Sequence, residues 1–164
     1  MIRYSEQHID RTDISEVIKT LKSDFITTGP QVSIFEKKLS KKVNSKYSVV
    51  FNSATSALHT ACIALGLKKN DWLWTSANSF VASANCGLYC GAKIDLIDIE
   101  LDTFNIDFKK LEKKLSEAKK KNILPKIIVP IAFAGHACDI DHLIYLSKKY
   151  KFKILQDASH GLGG

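Results

Sequence analysis

Apolar residues recur along this chain at helical spacing in some stretches and as short unbroken runs in others, and the two kinds of stretch alternate. Ile14, Val17, Ile18 and Leu21 share one face, which predicts a helix over 13–24 with Asp13 or Thr12 as its cap. The turn Thr27-Thr28-Gly29-Pro30 follows, and Pro30 suits the first turn of a second helix carrying Val32, Phe35, Leu39 and Val43, because its ring needs no N–H there. Strands are expected at 47–52, 72–75, 93–99, 126–133 and 152–157, with helices at 54–67, 79–90, 107–121 and 140–150 between them. Buried strands alternating with helices predict an α/β domain, a three-layer α/β/α arrangement around a mostly parallel sheet. Residues 1–30 read as an arm and helix leading into a domain over 31–164.

In such a sheet the loops at the carboxyl ends of the strands converge on a crevice. The segments after Phe51, Thr75, Phe133 and Gln156 open there. After Phe51-Asn52, the run Ser53-Ala54-Thr55-Ser56 turns a strand into a helix start, where free backbone N–H groups and the helix dipole suit an anion. Ser53, Thr55 and Ser56 add hydroxyl donors, while Ala54 and Ala57 keep bulk away. The plain competitor is a Ser/Thr-capped helix. At the end of the last strand, Asp157 is placed to bind a metal, orient a ribose, cap a helix or pair with a protonated ring nitrogen. A pyridine ring carrying a phosphate arm would span the two features.

Composition narrows the class. With 45% hydrophobic and 25% charged residues the chain is of ordinary globular type. Neither a signal-peptide core nor a run approaching a membrane span is found, so no membrane partner and a cytoplasmic location are expected. The net charge of +7 comes largely from lysines in 109–121 and 148–153. Leu111, Leu115 and Ala118 form a stripe among the first set, which makes those lysines a solvated helix face rather than a nucleic-acid site. Cys62, Cys86, Cys90 and Cys138 form no C-x-x-C pair and are expected to be free thiols, mostly buried. The cluster His136-Ala137-Cys138-Asp139-Ile140-Asp141-His142 fits no common zinc spacing, and Asp139 reads better as a helix cap, so no metal is expected.

Four segments, residues 51–58, 78–85, 134–140 and 156–163, carry a specific likeness: Phe-Asn-Ser-Ala-Thr-Ser-Ala-Leu, Asn-Ser-Phe-Val-Ala-Ser-Ala-Asn, Ala-Gly-His-Ala-Cys-Asp-Ile and Gln-Asp-Ala-Ser-His-Gly-Leu-Gly. In this order and spacing the chain resembles the DegT/DnrJ/EryC1/StrS sugar aminotransferases, pyridoxal-phosphate enzymes of the aspartate aminotransferase fold. Tyr4-Ser5-Glu6 and Phe25-Ile26-Thr27-Thr28-Gly29 bring it nearest to the branch serving pseudaminic acid and related surface sugars.

The resemblance implies that pyridoxal 5'-phosphate is held by Ala54 and Thr55 at its phosphate, Phe80 on the ring face, Asp157 at the ring nitrogen and His160 at the ring edge. Tyr4 and the loop Asp24, Phe25, Ile26 and Thr27 would line the site for a nucleotide sugar. It further implies amino transfer from an amino acid, usually glutamate, to a 4-keto nucleotide sugar, in a homodimer. Phe80 has a plain competing role in the core stripe Phe80, Val81, Ala84, Leu88, and His160 as a capping or core histidine.

Trp72, Trp74 and Ser76 depart from the family's smaller residues and proline, which puts the packing under Phe80 in question. The cofactor-linking lysine of the family is expected beyond Gly164, and Lys153 lies at the wrong end of its strand to replace it. The chain is therefore expected to be the amino-terminal part of a longer enzyme and not to transaminate alone. A sugar dehydratase of the same fold, in which histidine replaces that lysine, and a non-catalytic phosphate- or nucleotide-binding piece are the alternatives.

Overall fold

The computed structural model describes residues 6–163. They belong to two compact units, Met1–Val50 and Phe51–Gly164.

The first unit holds α1 (Arg11–Leu21) and α2 (Pro30–Lys42). The cap of α1 is Asp10, not Asp13 or Thr12: its carboxylate accepts from the N–H groups of Thr12 (2.7 Å) and Asp13 (3.1 Å), and the Asp10 N–H donates back to Asp13 Oδ2 (2.9 Å). This reciprocal box starts the helix earlier than its apolar stripe indicates. Gly29 precedes α2, where a Cβ would lie 2.8 Å from the carbonyl oxygen of Phe25, so only glycine fits. Residues 47–52 form no strand. An extended run becomes a strand only against a partner, and the Val50 N–H donates instead to Glu36 Oε1 (3.0 Å).

The second unit begins with α3 (Ala54–Ala64), β1 (Trp72–Ser76), α4 (Ala82–Tyr89) and β2 (Lys93–Ile97). It continues with α5 (Phe108–Lys120), β3 (Ile127–Val129), α6 (Ile140–Tyr150) and β4 (Lys153–Ile154). The strands run in the order β2-β1-β3-β4, and every pair is parallel. Side-chain alternation sends Trp74 and Ile128 to one face, where they pack with Leu111, Leu115, Leu143, Leu146 and Phe152 of the α5/α6 side. Leu73, Ile127 and Val129 face the other way, against Leu58, Cys62, Ala82 and Cys86 of α3 and α4. Helices on both faces make the expected three layers.

Several elements are shorter than the pattern predicts, each for a local reason. The β3/β4 ladder stops at Pro130, which has no N–H to give, and resumes as a bridge between Ile131 and Asp157. There the Asp157 N–H donates to the Pro130 carbonyl (2.9 Å) and the Ala132 N–H to the Asp157 carbonyl (3.0 Å). Helix α3 ends before Gly66, whose φ of +79° cannot continue it. Helix α4 starts at Ala82 rather than 79, and its buried residues are Ala82, Ser83, Cys86 and Gly87. Phe80, Val81 and Leu88 are exposed, so the predicted core stripe is not the buried face. A Cβ on Gly87 would stand 2.6 Å from Ile94 Cδ1, which explains why α4 turns its smallest residues to the sheet.

Candidate active site

A cavity of about 360 Å³ opens at the carboxyl ends of β1, β3 and β4. Its lining comes from four segments: Ala54 and Thr55 at the start of α3, Ser79 and Phe80 before α4, Ile131 and Phe133 after β3, and Asp157, Ser159 and His160 after β4. All five residues expected to hold a cofactor, Ala54, Thr55, Phe80, Asp157 and His160, therefore surround one space. Asp24, Phe25, Ile26 and Thr27 belong to the first unit, in the turn after α1, where Phe25 and Ile26 are exposed. Tyr4 lies outside the described residues.

Asp157 is only 7% exposed. Burying a carboxylate is costly unless donors surround it, and here they do. Oδ1 accepts from the Ser159 N–H (3.1 Å) and the Ser159 hydroxyl (2.6 Å), and Oδ2 accepts from the Ser83 hydroxyl (2.6 Å). Ser83 in turn accepts from Ser79 Oγ (2.8 Å).

At the start of α3 the hydroxyls are partly used internally, which corrects the expectation that Ser53 and Ser56 serve a ligand. Ser53 Oγ caps the helix by accepting from the Ser56 N–H (3.2 Å), and Ser56 Oγ donates to Asn52 Oδ1 (2.7 Å). Among the described residues the N–H groups of Ala54 and Thr55 have no internal acceptor, and both residues line the cavity. Phe80 is 72% exposed, which removes the competing core role. His160 lies in a turn, edge-on to Phe133 at 6.4 Å between centroids, so it caps no helix.

One contributor the sequence did not disclose is Asn105. It is buried, its Nδ2 donates to the His136 carbonyl (2.9 Å), and its Oδ1 accepts from the Phe133 N–H (3.2 Å). It thereby pins both ends of the turn Phe133–Gly135, in which Ala134 (φ 51°) and Gly135 (φ 84°) are left-handed. A Cβ at Gly135 would sit 3.1 Å from the His160 carbonyl, so the turn packs closely on the segment carrying that residue. The only available signal was a polar residue between the apolar Phe104 and Ile106.

A larger cavity of about 850 Å³ lies between residues 99–112 and 136–142. Asp139 accepts from the His142 N–H (2.9 Å), as its capping role requires. The His142 ring stacks on Phe108 at 4.7 Å and its Nε2 lies 2.9 Å from Glu112. Among the described residues no group of three or more His, Cys, Asp and Glu is arranged to hold a metal ion, and no helix is long and apolar enough to cross a membrane. The cysteines are free, with Cys62, Cys86 and Cys138 buried and Cys90 half-buried. The neighbouring Cys86 thiol and burial together push the Cys62 thiol far above its ordinary value, which keeps it protonated. Trp74, expected to alter the packing under Phe80, instead fills the α5/α6 face.

The residues present suit a flat aromatic ring with an anionic arm. A buried carboxylate has acceptor capacity to spare, Ile131, Phe133 and Phe80 supply apolar wall, and a helix start with unused amides borders the same space. Fold and cavity together define a three-layer α/β protein with a cavity at the carboxyl edge of a parallel sheet, where ligands of such folds bind. The chain belongs to the DegT/DnrJ/EryC1/StrS aminotransferase family, whose pattern matches residues 7–164.

It is 44% identical over 163 residues to the UDP-4-amino-4,6-dideoxy-N-acetyl-beta-L-altrosamine transaminase of Campylobacter jejuni, covering 99% of this chain and 42% of the relative. The chain thus spans well under half the length of that curated relative. Among solved structures, the Helicobacter pylori aminotransferase PseC, described as involved in the biosynthesis of pseudoaminic acid, matches with a TM-score of 0.89 at 34% identity, over 98% of this chain and 42% of its own. A putative sugar aminotransferase of Streptococcus pneumoniae in its PMP form gives 0.88 at 32% identity, over 99% and 43%. Its PLP form gives 0.86 at 31%, over 99% and 44%.

Proposed function

We propose that this chain holds pyridoxal 5'-phosphate for a nucleotide-sugar aminotransferase, with an amino acid such as glutamate as donor and a 4-keto nucleotide sugar of surface-polysaccharide synthesis as acceptor. The observation that carries the proposal is the placing of buried Asp157 and the free amides of Ala54 and Thr55 on one cavity. Likeness to a UDP-amino-sugar transaminase and to an enzyme of pseudoaminic acid synthesis supports the substrate class.

In this proposal Ala54 and Thr55 take the phosphate through backbone N–H groups and the Thr55 hydroxyl. Phe80 covers one ring face, and Asp157 accepts a hydrogen bond from the protonated ring nitrogen, which keeps the proton on the ring. His160 meets the ring edge. When bound, the cofactor supplies a conjugated ring that takes up the electrons released when a C–H bond next to nitrogen breaks. Tyr4 and Asp24, Phe25, Ile26 and Thr27 contact the nucleotide sugar, and the working enzyme is a homodimer in the cytoplasm.

Titration of the chain with pyridoxal phosphate, followed by absorbance and by competition with inorganic phosphate, tests the proposal. Saturable binding that phosphate weakens is expected, and Asp157→Ala should weaken it roughly tenfold to a hundredfold through loss of a charge-assisted hydrogen bond. Absence of saturable binding, or equal binding by the variant, would contradict it.

A further inference from the structure

We propose that Ser83 is a positioning residue, which fixes the carboxylate plane of Asp157 and leaves the spare acceptor capacity on Oδ2 alone, with Ser79 extending the same hydroxyl chain to the cavity wall. The inference rests on the reading of Asp157 as partner of a ring nitrogen.

The backbone of Asp157 is tied on both sides by its bonds to Pro130 and Ala132, so the carboxylate can turn only through its own side-chain torsions. Ser159 holds Oδ1 with two donors, and Ser83 holds Oδ2 with one. A carboxylate offers roughly four acceptor positions and no donor. With three filled, the remaining one is on Oδ2, which fits a ligand presenting a single N–H.

The direction of the chain follows from the same chemistry. Because the carboxylate only accepts, the Ser83 proton points to Oδ2, and the Ser83 oxygen is then free to accept from Ser79, whose single proton is shared between Ser83 Oγ (2.8 Å) and the Phe80 carbonyl (3.0 Å). Ser83 is fully buried, so no water can take over its role, whereas Ser79 borders the cavity, where water can. Ser83 is itself fixed: it sits in the first turn of α4, and its carbonyl accepts from Cys86 Sγ (3.3 Å).

The test has two readouts on the same chain. In the ligand-free protein, the carbon-13 resonance of the Asp157 carboxyl group is compared between wild type, Ser83→Ala and Ser83→Thr, with Ser83→Cys replacing the alanine variant if that one does not fold. The resonance should move in the alanine or cysteine variant and return in the threonine variant, which keeps the hydroxyl. In the second readout, Ser83→Ala should weaken pyridoxal phosphate about tenfold and shift the nitrogen-15 resonance of the labelled ring, while Ser79→Ala has a smaller effect on both. An Asp157 resonance indifferent to Ser83, or affinity and ring-nitrogen signal unchanged in Ser83→Ala, would overturn the inference. Failure of the wild type to bind pyridoxal phosphate would overturn the proposed function, and the ligand-free resonance would still decide the role of Ser83.

Discussion

The two faces of the sheet are packed by different means. Toward α5 and α6 the core is made of large side chains, with Trp74, Leu111, Leu115, Leu143, Leu146 and Phe152 almost wholly buried. Toward α3 and α4 the buried helix residues are mostly small: Cys62, Ala82 and Cys86 pack with Leu73, Ile127 and Val129, and Ser83 and Gly87 are buried on the same helix α4. Large residues fill the space between layers and supply most of the burial energy. Small ones let a helix settle close to the sheet, and it is this closeness that brings the Ser83 hydroxyl within 2.6 Å of Asp157. Polar groups follow the same division. Both oxygens of the carboxylate on the α4 side are hydrogen-bonded, whereas Trp74 Nε1 and Ser76 Oγ, which alternate along β1 toward the other face, are buried without a partner among the described residues. One face serves stability and the other serves the site.

The division can be broken from either side. Leu115→Ala, in the buried core of the α5/α6 side, should cost about 3 kcal/mol in chemical denaturation and leave the Asp157 carboxyl resonance in place. A change at Asp157 of the size produced by Ser83→Ala would show that the faces are not separable. Gly87→Ala acts in the opposite sense. Its new methyl meets Ile94 Cδ1 at 2.6 Å and Leu73 Cδ1 at 3.1 Å, so a stability loss of about 1–2 kcal/mol is expected from overpacking, together with weaker binding of pyridoxal phosphate as α4 lifts Ser83 away. The smallest effect is expected at Ser76. Ser76→Ala removes an unpaired buried hydroxyl and should leave stability unchanged or raise it by up to about 1 kcal/mol, and a clear loss would mean that this hydroxyl has a partner.

Legibility in the sequence followed the range over which each feature is determined. The helix Ile140–Tyr150 and its Asp139 cap were readable because cap, stripe and end lie within one short segment. The grouping of Ala54, Thr55, Phe80, Asp157 and His160 around one cavity was readable from the family resemblance, and the convergence of the segments after β1, β3 and β4 from the shared edge of parallel strands. Residues 47–52 were misread because an apolar run carries no information about whether a neighbouring strand is there to pair with it. Helix α4 was misread for a related reason: its buried face is chosen by the space left above Leu73 and Ile94, not by its most apolar residues. Ser83 and Asn105 were invisible as site residues. Ser83 lies in the segment 78–85 that carries the family likeness, but it reaches Asp157 from 74 positions away, and Asn105 clamps a turn 28 to 31 positions further on, so nothing in the sequence pairs either with its partner.

In the proposed function one ligand is held at both ends, and a crystal structure of the chain soaked with pyridoxal phosphate measures that directly. The predicted result places the ring nitrogen in hydrogen-bond contact with Asp157 Oδ2 and the phosphate on the amides of Ala54 and Thr55. A ligand bound elsewhere, or one whose phosphate faces Asp157, would contradict it.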